Sequence, residues 1–524
     1  MAQTTRISLF LGVCCAVAAY GIAIVRQNHR RRREAPHVWS WLPLIGSAVS
    51  FGRDPLAFLQ EQRATHGDVF TAVVAGHRMM FVCDHTLWAS IFRMRRPLKF
   101  APVSHKVLAS AFRVKLPVVE ALFASADGHL LHNQLTTLLS GDDLEVLTAS
   151  AAHALKGALH RMHSNGRLCA DGFRHVSMYS SVARAVFDTT LDTFFGEGMA
   201  NDDVYRHFTA FDSQFAFLAS GAPSVLFPGA TSGLQGQCDA LDAAVCYATA
   251  HGAQSRLIRA RREVFQRLER SKMLSHHEHL RLQATIIWAM TANTLPAAFW
   301  TLFYILSDPS AQAAVRAEME SAGGCCSTRL SGGGGASVTQ KTSLNEDTKG
   351  DRWSVGDHPV LHSCILEALR LATGSMTVRQ VVMPCTVPTA DGSSAELAMR
   401  VGDRVTIFPP LMHYDPTLFG PDPAKFNWRR FITDGALNDA ARLVMPFGGG
   451  ESLCPGRHVA KNEIAQFIRQ ILLEYDVELL PEDASSPPAF DAARVGLGIY
   501  PPATDHVGLL MRPRPSQRPF RPLT

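Results

Sequence analysis

The chain has 524 residues, 47% hydrophobic and only 19% charged, a balance that excludes a disordered protein. Its net charge of +5 is carried by the first 36 residues, where six arginines (Arg6, Arg26, Arg30, Arg31, Arg32 and Arg33) stand against one acid, Glu34. The remaining 488 residues hold 45 bases and 45 acids, so no nucleic-acid partner is expected: such a body would need a basic face.

The first predicted element is Ile7–Val25, 19 uncharged residues. As a helix it spans about 28 Å, close to the hydrocarbon thickness of a bilayer. The Arg cluster follows at once, which by the positive-inside rule keeps the body on the cytoplasmic side. A secretory signal peptide fits less well, because basic residues stand where a small-residue cleavage site belongs. Residues 1–36 are therefore expected to be a single transmembrane anchor with its stop-transfer segment, and 37–524 the folded body it carries. Eleven cysteines are scattered without zinc-type or disulfide-scaffold spacing, which suits free thiols in a cytoplasmic body.

Pro43, Gly46 and Pro55 predict a stiff hinge after the anchor. Residues 69–82 (VFTAVVAGHRMMFV) predict a hairpin. From about 115 to 320 the periodicity is mostly helical, and residues 282–309 form one long apolar helix, either a core helix or a second membrane span. Residues 321–351, rich in Gly and Ser, read as a mobile loop insertion. Helices are expected again at 361–372 and about 456–474. The fold class is mainly α with small β-sheets.

Two segments carry chemistry. Met445–Arg457 reads MPFGGGESLCPGR. Its glycines let backbone pass close to a flat ligand, and Cys454 stands just before a helix start, where the dipole favours thiolate. A thiolate held there suits haem iron; on composition alone, a buried free Cys in a turn is the plainer reading. In residues 282–309, Thr291, Asn293 and Thr294 cluster mid-helix. Pro296 lacks the N–H that would bond the Ala292 carbonyl, so a kink or opening is expected there.

Phe447, Gly450, Cys454 and Gly456 match F-x-x-G-x-x-x-C-x-G, and the chain thereby resembles the cytochrome P450 family. Glu367-Ala-Leu-Arg370 resembles its E-x-x-R, and Pro423 to Phe431 its P-x-x-F-x-x-x-R-F. The resemblance implies the P450 fold, haem b (iron protoporphyrin IX) with Cys454 as axial iron ligand, and a structural ion network of Glu367, Arg370 and Arg430. It places Phe447, Gly450 and Gly456 around the cofactor and Arg379 on a haem propionate. Ser452 stands where many members have a basic propionate partner. Thr294 and Asn293 fall at the catalytic acid-Thr pair, with Asn, which cannot relay a proton as a carboxylate does, in place of the acid.

ANTLPAAFW is similar to the corresponding segment of cholesterol and oxysterol 7α-hydroxylases, and residues 128–148, 408–416 and 493–505 agree with that branch. Sterol 12α-hydroxylases and prostacyclin synthase belong to it too. The resemblance covers roughly 37–515 and implies a monooxygenase that hydroxylates a sterol or other apolar lipid. Asn293, Leu295 and Trp288, with Val495, Gly496 and Leu497 of a C-terminal hairpin, are expected to face the substrate. The expected partner is a membrane-bound NADPH-cytochrome P450 reductase, docking near Arg457, His458 and Lys461, and the expected location is the endoplasmic reticulum membrane. The alternatives are an isomerase resembling prostacyclin synthase, needing no reductase, and a non-catalytic haem-binding membrane protein.

Overall fold

In the computed structural model the described residues are 34–42, 45–251, 254–325, 353–388 and 396–515, and they fold mainly into helices with small sheets. The anchor segment lies outside them, as does the insertion from 326 onward; residues 321–325 end the helix Pro309–Cys325.

The described chain divides into two compact units, the first built from residues up to Val103, Met376–Met412 and Gly449–Ser452. Strands β1 (Val69–Val74) and β2 (His77–Val82) form the expected hairpin. Ala75 and Gly76 turn it with positive φ (48° and 77°), the conformation that matches strand twist in a two-residue turn. Its sheet continues through β5 (Arg404–Ile407), β4 (Thr377–Val381) and β3 (Leu98–Lys99), with β5 parallel to β2. Around Gly46 and Pro55 the expected hinge is packed structure instead, while Pro43 lies outside the described residues. His37 bridges Thr71, and Gly46 bridges Val74 at φ +61°, where an added Cβ would meet the Val73 carbonyl oxygen. Pro55 opens the helix Pro55–His66 behind Asp54, whose carboxylate accepts from the Ala57 N–H at 2.9 Å. Proline at the first helical position has no N–H to lose, so it starts this helix rather than breaking one.

The second unit holds the long helices: α1 (Gly141–Ser164), α2 (Met178–Phe195), α3 (Pro228–His251), α4 (Arg256–Arg270), α5 (His276–Thr291), α6 (Thr294–Ser307), α7 (Pro359–Ala372) and α8 (Arg457–Glu474). Its core runs through α2, α6, α7 and α8. The predicted helix 282–309 is two helices, α5 and α6, parted at Ala292–Asn293, one turn before Pro296 and where its missing N–H is felt. The stretch His276–Ser307 is long and apolar enough to cross a membrane, but 78% of that apolar window is buried inside the protein, so it is a core element. Strands Arg167–Leu168 and Arg174–Ser177 interrupt the region read as helical. Their sheet partners, Tyr475–Leu479 and Gly508–Pro513, lie some 300 residues onward, outside any local pattern.

Candidate active site

The Cys454 loop is held by its own backbone. Gly448 and Gly450 take positive φ (72° and 64°), and the Cys454 N–H donates to the Phe447 carbonyl at 3.0 Å. α8 begins two residues after Pro455, and the amides of Gly456 and Arg457 donate to the sulfur. Burial pushes the Cys454 thiol up, while those amides and the Arg457 charge pull it down. A bound metal cation would decide that balance for thiolate. Gly456 leaves an added Cβ 3.9 Å from Sγ, so its smallness keeps the sulfur's surroundings open. Gly449 and Gly450 make their close approach to the Phe92 ring, which an added Cβ would strike at 2.6 Å and 3.2 Å. Phe92 carries no motif and sequence reasoning missed it.

Arg379, on β4, is buried and donates to the Gly449 carbonyl at 2.9 Å, to the Val378 carbonyl at 3.0 Å and to the Ser452 hydroxyl. Its guanidinium lies 5.3 Å from the Phe100 ring centre. Burial lowers its pKa, as expected of a cation held without a carboxylate in contact. Ser452 thus serves Arg379. Taken each by itself, a sulfur receiving two amide hydrogens suits a thiolate-bound iron, and a buried guanidinium suits an acidic group such as a propionate.

Glu367 and Arg370 share one face of α7, both fully buried. Arg370 grips Glu367 with two hydrogen bonds, at 2.8 and 2.9 Å, and Arg430 donates to the same carboxylate at 2.8 Å. The Asn427 N–H adds a fourth bond at 3.1 Å. Arg430 also caps the carbonyls of Phe419 and Lys425. His413, which no motif flagged, carries the network to the Cys loop. Arg370 donates to its carbonyl, and its Nε2 accepts the Met445 N–H at 3.0 Å. Burial and the neighbouring Arg370 drop its pKa to about 3, so the ring is neutral and that nitrogen is an acceptor.

At the break between α5 and α6, the Asn293 Oδ1 accepts the Ile499 N–H at 2.8 Å. The Thr294 hydroxyl, nearly buried, donates to the Met290 carbonyl at 2.8 Å. The segment beside Asn293 is not a hairpin. Gly496 and Ile499 make isolated bridges to Ser375 and Thr373, and the Gly498 carbonyl accepts from the Gly374 N–H. Gly498 has φ +131°, and an added Cβ would lie 2.0 Å from the Asn293 Oδ1. Val495, Gly496 and Leu497 are half-buried next to it. Leu295 and Trp288 turn elsewhere. Leu295 is in the hydrophobic core, and Trp288 stacks on Phe215 at 3.8 Å and donates to Asp212 at 2.8 Å. Arg494 binds the same Asp212 at 3.0 Å, which ties Trp288 to the C-terminal segment through charge. Nor do Arg457, His458 and Lys461 make one solvated patch. Arg457 donates to the Cys454 carbonyl, and Lys461 turns inward to His362 Nε2 at 3.2 Å.

The cytochrome P450 family model matches residues 36–503. Cholesterol 7-alpha-monooxygenase of Cricetulus griseus is 29% identical over 95% of this chain and 97% of its own length. Cytochrome P450 7B1 of Mus musculus is 29% identical over 91% of each chain. Prostacyclin synthase of Homo sapiens is 30% identical over 91% of this chain and 93% of its own. Among solved structures, retinoic acid-bound cyanobacterial CYP120A1 superposes with a TM-score of 0.64 at 17% identity, covering 92% of this chain and 100% of that one, a likeness of fold. The chain belongs to the cytochrome P450 family as a haem b-thiolate oxidoreductase, a monooxygenase of the branch that includes cholesterol 7α-monooxygenases and prostacyclin synthases.

Proposed function

We propose that this enzyme hydroxylates a sterol or another apolar lipid, using dioxygen and electrons from a membrane-bound NADPH-cytochrome P450 reductase. The observation that carries the reading is the helix break at Ala292–Asn293, which sets the Asn293 side chain against Ile499 of the C-terminal segment, with the Thr294 hydroxyl one residue on, bonded to the Met290 carbonyl. In this reading residues 1–36 anchor the enzyme in the endoplasmic reticulum membrane by a single span, with 37–524 cytoplasmic. Such an anchor holds it where an apolar substrate dissolves.

Haem, when bound, supplies the iron that activates dioxygen for attack on an unactivated carbon. Cys454 would hold the iron through its sulfur as a thiolate, tempered by the amides of Gly456 and Arg457. Phe447, Gly450 and Gly456 shape its loop, and Arg379 offers its guanidinium to a propionate. Glu367, Arg370 and Arg430 fix α7 and, through His413, the loop's entry. With one lone pair of its oxygen taken by Ile499, Asn293 keeps its NH2 donors to orient a water or a substrate hydroxyl. Thr294 spends its hydrogen on Met290 but keeps lone pairs. To relay a proton the hydroxyl turns off the Met290 carbonyl, gives its own hydrogen to the acceptor in the site and takes one from that water in exchange. Val495, Gly496 and Leu497 flank the substrate, while Trp288 and Leu295 hold the break from behind.

The similarity to prostacyclin synthase favours a second reading, an isomerase working without a reductase. Thr294 tips the choice, because a retained hydroxyl serves proton delivery. The test is a spectral screen of the purified enzyme with sterols, fatty acids and endoperoxide analogues. A sterol that shifts the Soret band and consumes NADPH only when reductase is present supports the proposal. Turnover of an endoperoxide without NADPH defeats it.

A further inference from the structure

Three helices converge on a cluster that the proposed chemistry does not use. Glu269 is the penultimate residue of α4, His276 and His279 lie one turn apart at the start of α5, and Asp242 belongs to α3. Both imidazoles aim Nδ1 at the same Glu269 oxygen, at 2.9 Å from His276 and 2.7 Å from His279. The three donor atoms lie within 4.8 Å of one another. His279 is buried and stacked on Phe265, with ring centres 4.8 Å apart, so its plane is fixed. His276 is exposed and leaves one side open to solvent.

The His276 Nε2 meets the Asp242 carboxylate at 3.1 Å. Both its ring nitrogens therefore face acceptor-only groups, and without a metal the ring carries two protons.

We propose that Glu269, His276 and His279 form a binding site for a divalent transition metal of the zinc type, with Asp242 as the positioning partner of His276. Tetrahedral zinc holds such donors about 2.0–2.1 Å away, and therefore roughly 3.3 Å from one another. The Glu269 contacts need open by less than an ångström to admit it. Two imidazoles and a carboxylate are the borderline donor set zinc takes, with water at the open fourth position. On binding, His276 gives one proton to solvent and keeps its Nε2–H, which donates to Asp242 in a carboxylate–histidine–metal arrangement. His279 moves its proton from Nδ1 to Nε2. Two carboxylates and the carbonyl end of α4 supply the negative field. Arg261 faces His279 from inside, and its guanidinium is engaged by the Phe265 ring and by the Gln283 side-chain oxygen at 3.3 Å. The metal then clamps α3, α4 and α5 together, on the helix that carries Trp288 and ends at the Asn293 break.

The test uses the full-length, haem-loaded, tag-free enzyme, incubated with excess zinc sulfate and desalted, with zinc and iron measured together by elemental mass spectrometry. Iron counts haem, so the zinc-to-iron ratio is internally normalised against the chain's 22 histidines. The expected result is one more zinc per iron in the wild type than in His276→Gln or Glu269→Gln, with a zinc-induced rise in Tm that both variants lack, since a ligand bound by the folded state alone stabilises it. His276 is exposed, so its variant folds even where His279→Gln does not. Equal zinc-to-iron ratios, or an equal Tm rise, in the wild type and His276→Gln overturn the site.

Discussion

At the residue scale, the groups with most to reveal are those whose protons the surroundings dictate. Cys454 is the plainest: Cys454→Ala is expected to abolish the long-wavelength Soret band of the reduced carbon monoxide complex, and a retained band removes the thiolate assignment. Glu463 is less obvious. It lies in α8, wholly buried, against the Thr190 hydroxyl, whose hydrogen reaches the Val186 carbonyl at 2.9 Å. The same hydroxyl donates to the Glu463 carboxyl oxygen, so its one hydrogen is shared between two acceptors and compensates a buried charge only in part. Burial pushes the carboxyl's pKa up to about 7. A carboxyl whose folded pKa is raised stabilises the fold below its unfolded pKa, and that contribution is lost as pH climbs through the folded value. The window therefore runs from about 4.3, the ordinary Glu value, to about 7. Glu463→Gln keeps a donor without a charge. It is expected to raise Tm at pH values above 7 and to leave it nearly unchanged near the lower limit; melting curves at the two ends decide.

At the scale of elements, the break between α5 and α6 organises the distal side. Pro296 made a defect legible in the sequence, but not the partner that uses it, because Gly498 and Ile499 are about 200 residues away. Gly498→Ala combines an unfavourable φ, of order 1–3 kcal/mol, with a collision on Asn293. A lower Tm together with an altered substrate-binding spectrum is expected; an unchanged spectrum detaches Asn293 from substrate. Thr294→Ala is expected to lower product formation by about 10²-fold or more, the usual scale for a lost proton-transfer group, and Thr294→Ser to restore much of it. Equal rates in Ala and wild type argue against a relay. The E-x-x-R pair was readable as spacing on a helix, yet His413, which extends it to Met445, was not: a neutral histidine used through both backbone and ring has no signature in a single sequence. Removing Arg430 leaves a buried carboxylate short of one partner. Arg430→Ala should cost about 3–5 kcal/mol in denaturant unfolding or prevent folding outright. The charged patch beside Cys454 misled for the opposite reason, since spacing puts Lys461 on a helix face but does not say that the face is turned toward His362.

Across the whole molecule, the helical class, the hairpin and the Cys loop were legible because they are local patterns. The sheet of 167–177 with 475–513 and the packing of residues 37–42 and 45–66 were not, being set by distant partners. The +5 charge belongs to one end of the chain, and the account assigns that end to the membrane. Deletion of residues 1–36 is expected to move the enzyme from the membrane pellet to the soluble fraction with its haem spectrum intact; a deletion variant that sediments as before places the membrane contact elsewhere. The most direct test of the central claim is product analysis under isotopically heavy dioxygen, in vesicles with reductase, NADPH and the sterol that shifts the Soret band. The account predicts a product carrying one heavy oxygen atom, absent when reductase or NADPH is omitted. A product of unchanged composition, or one formed without electrons, contradicts it.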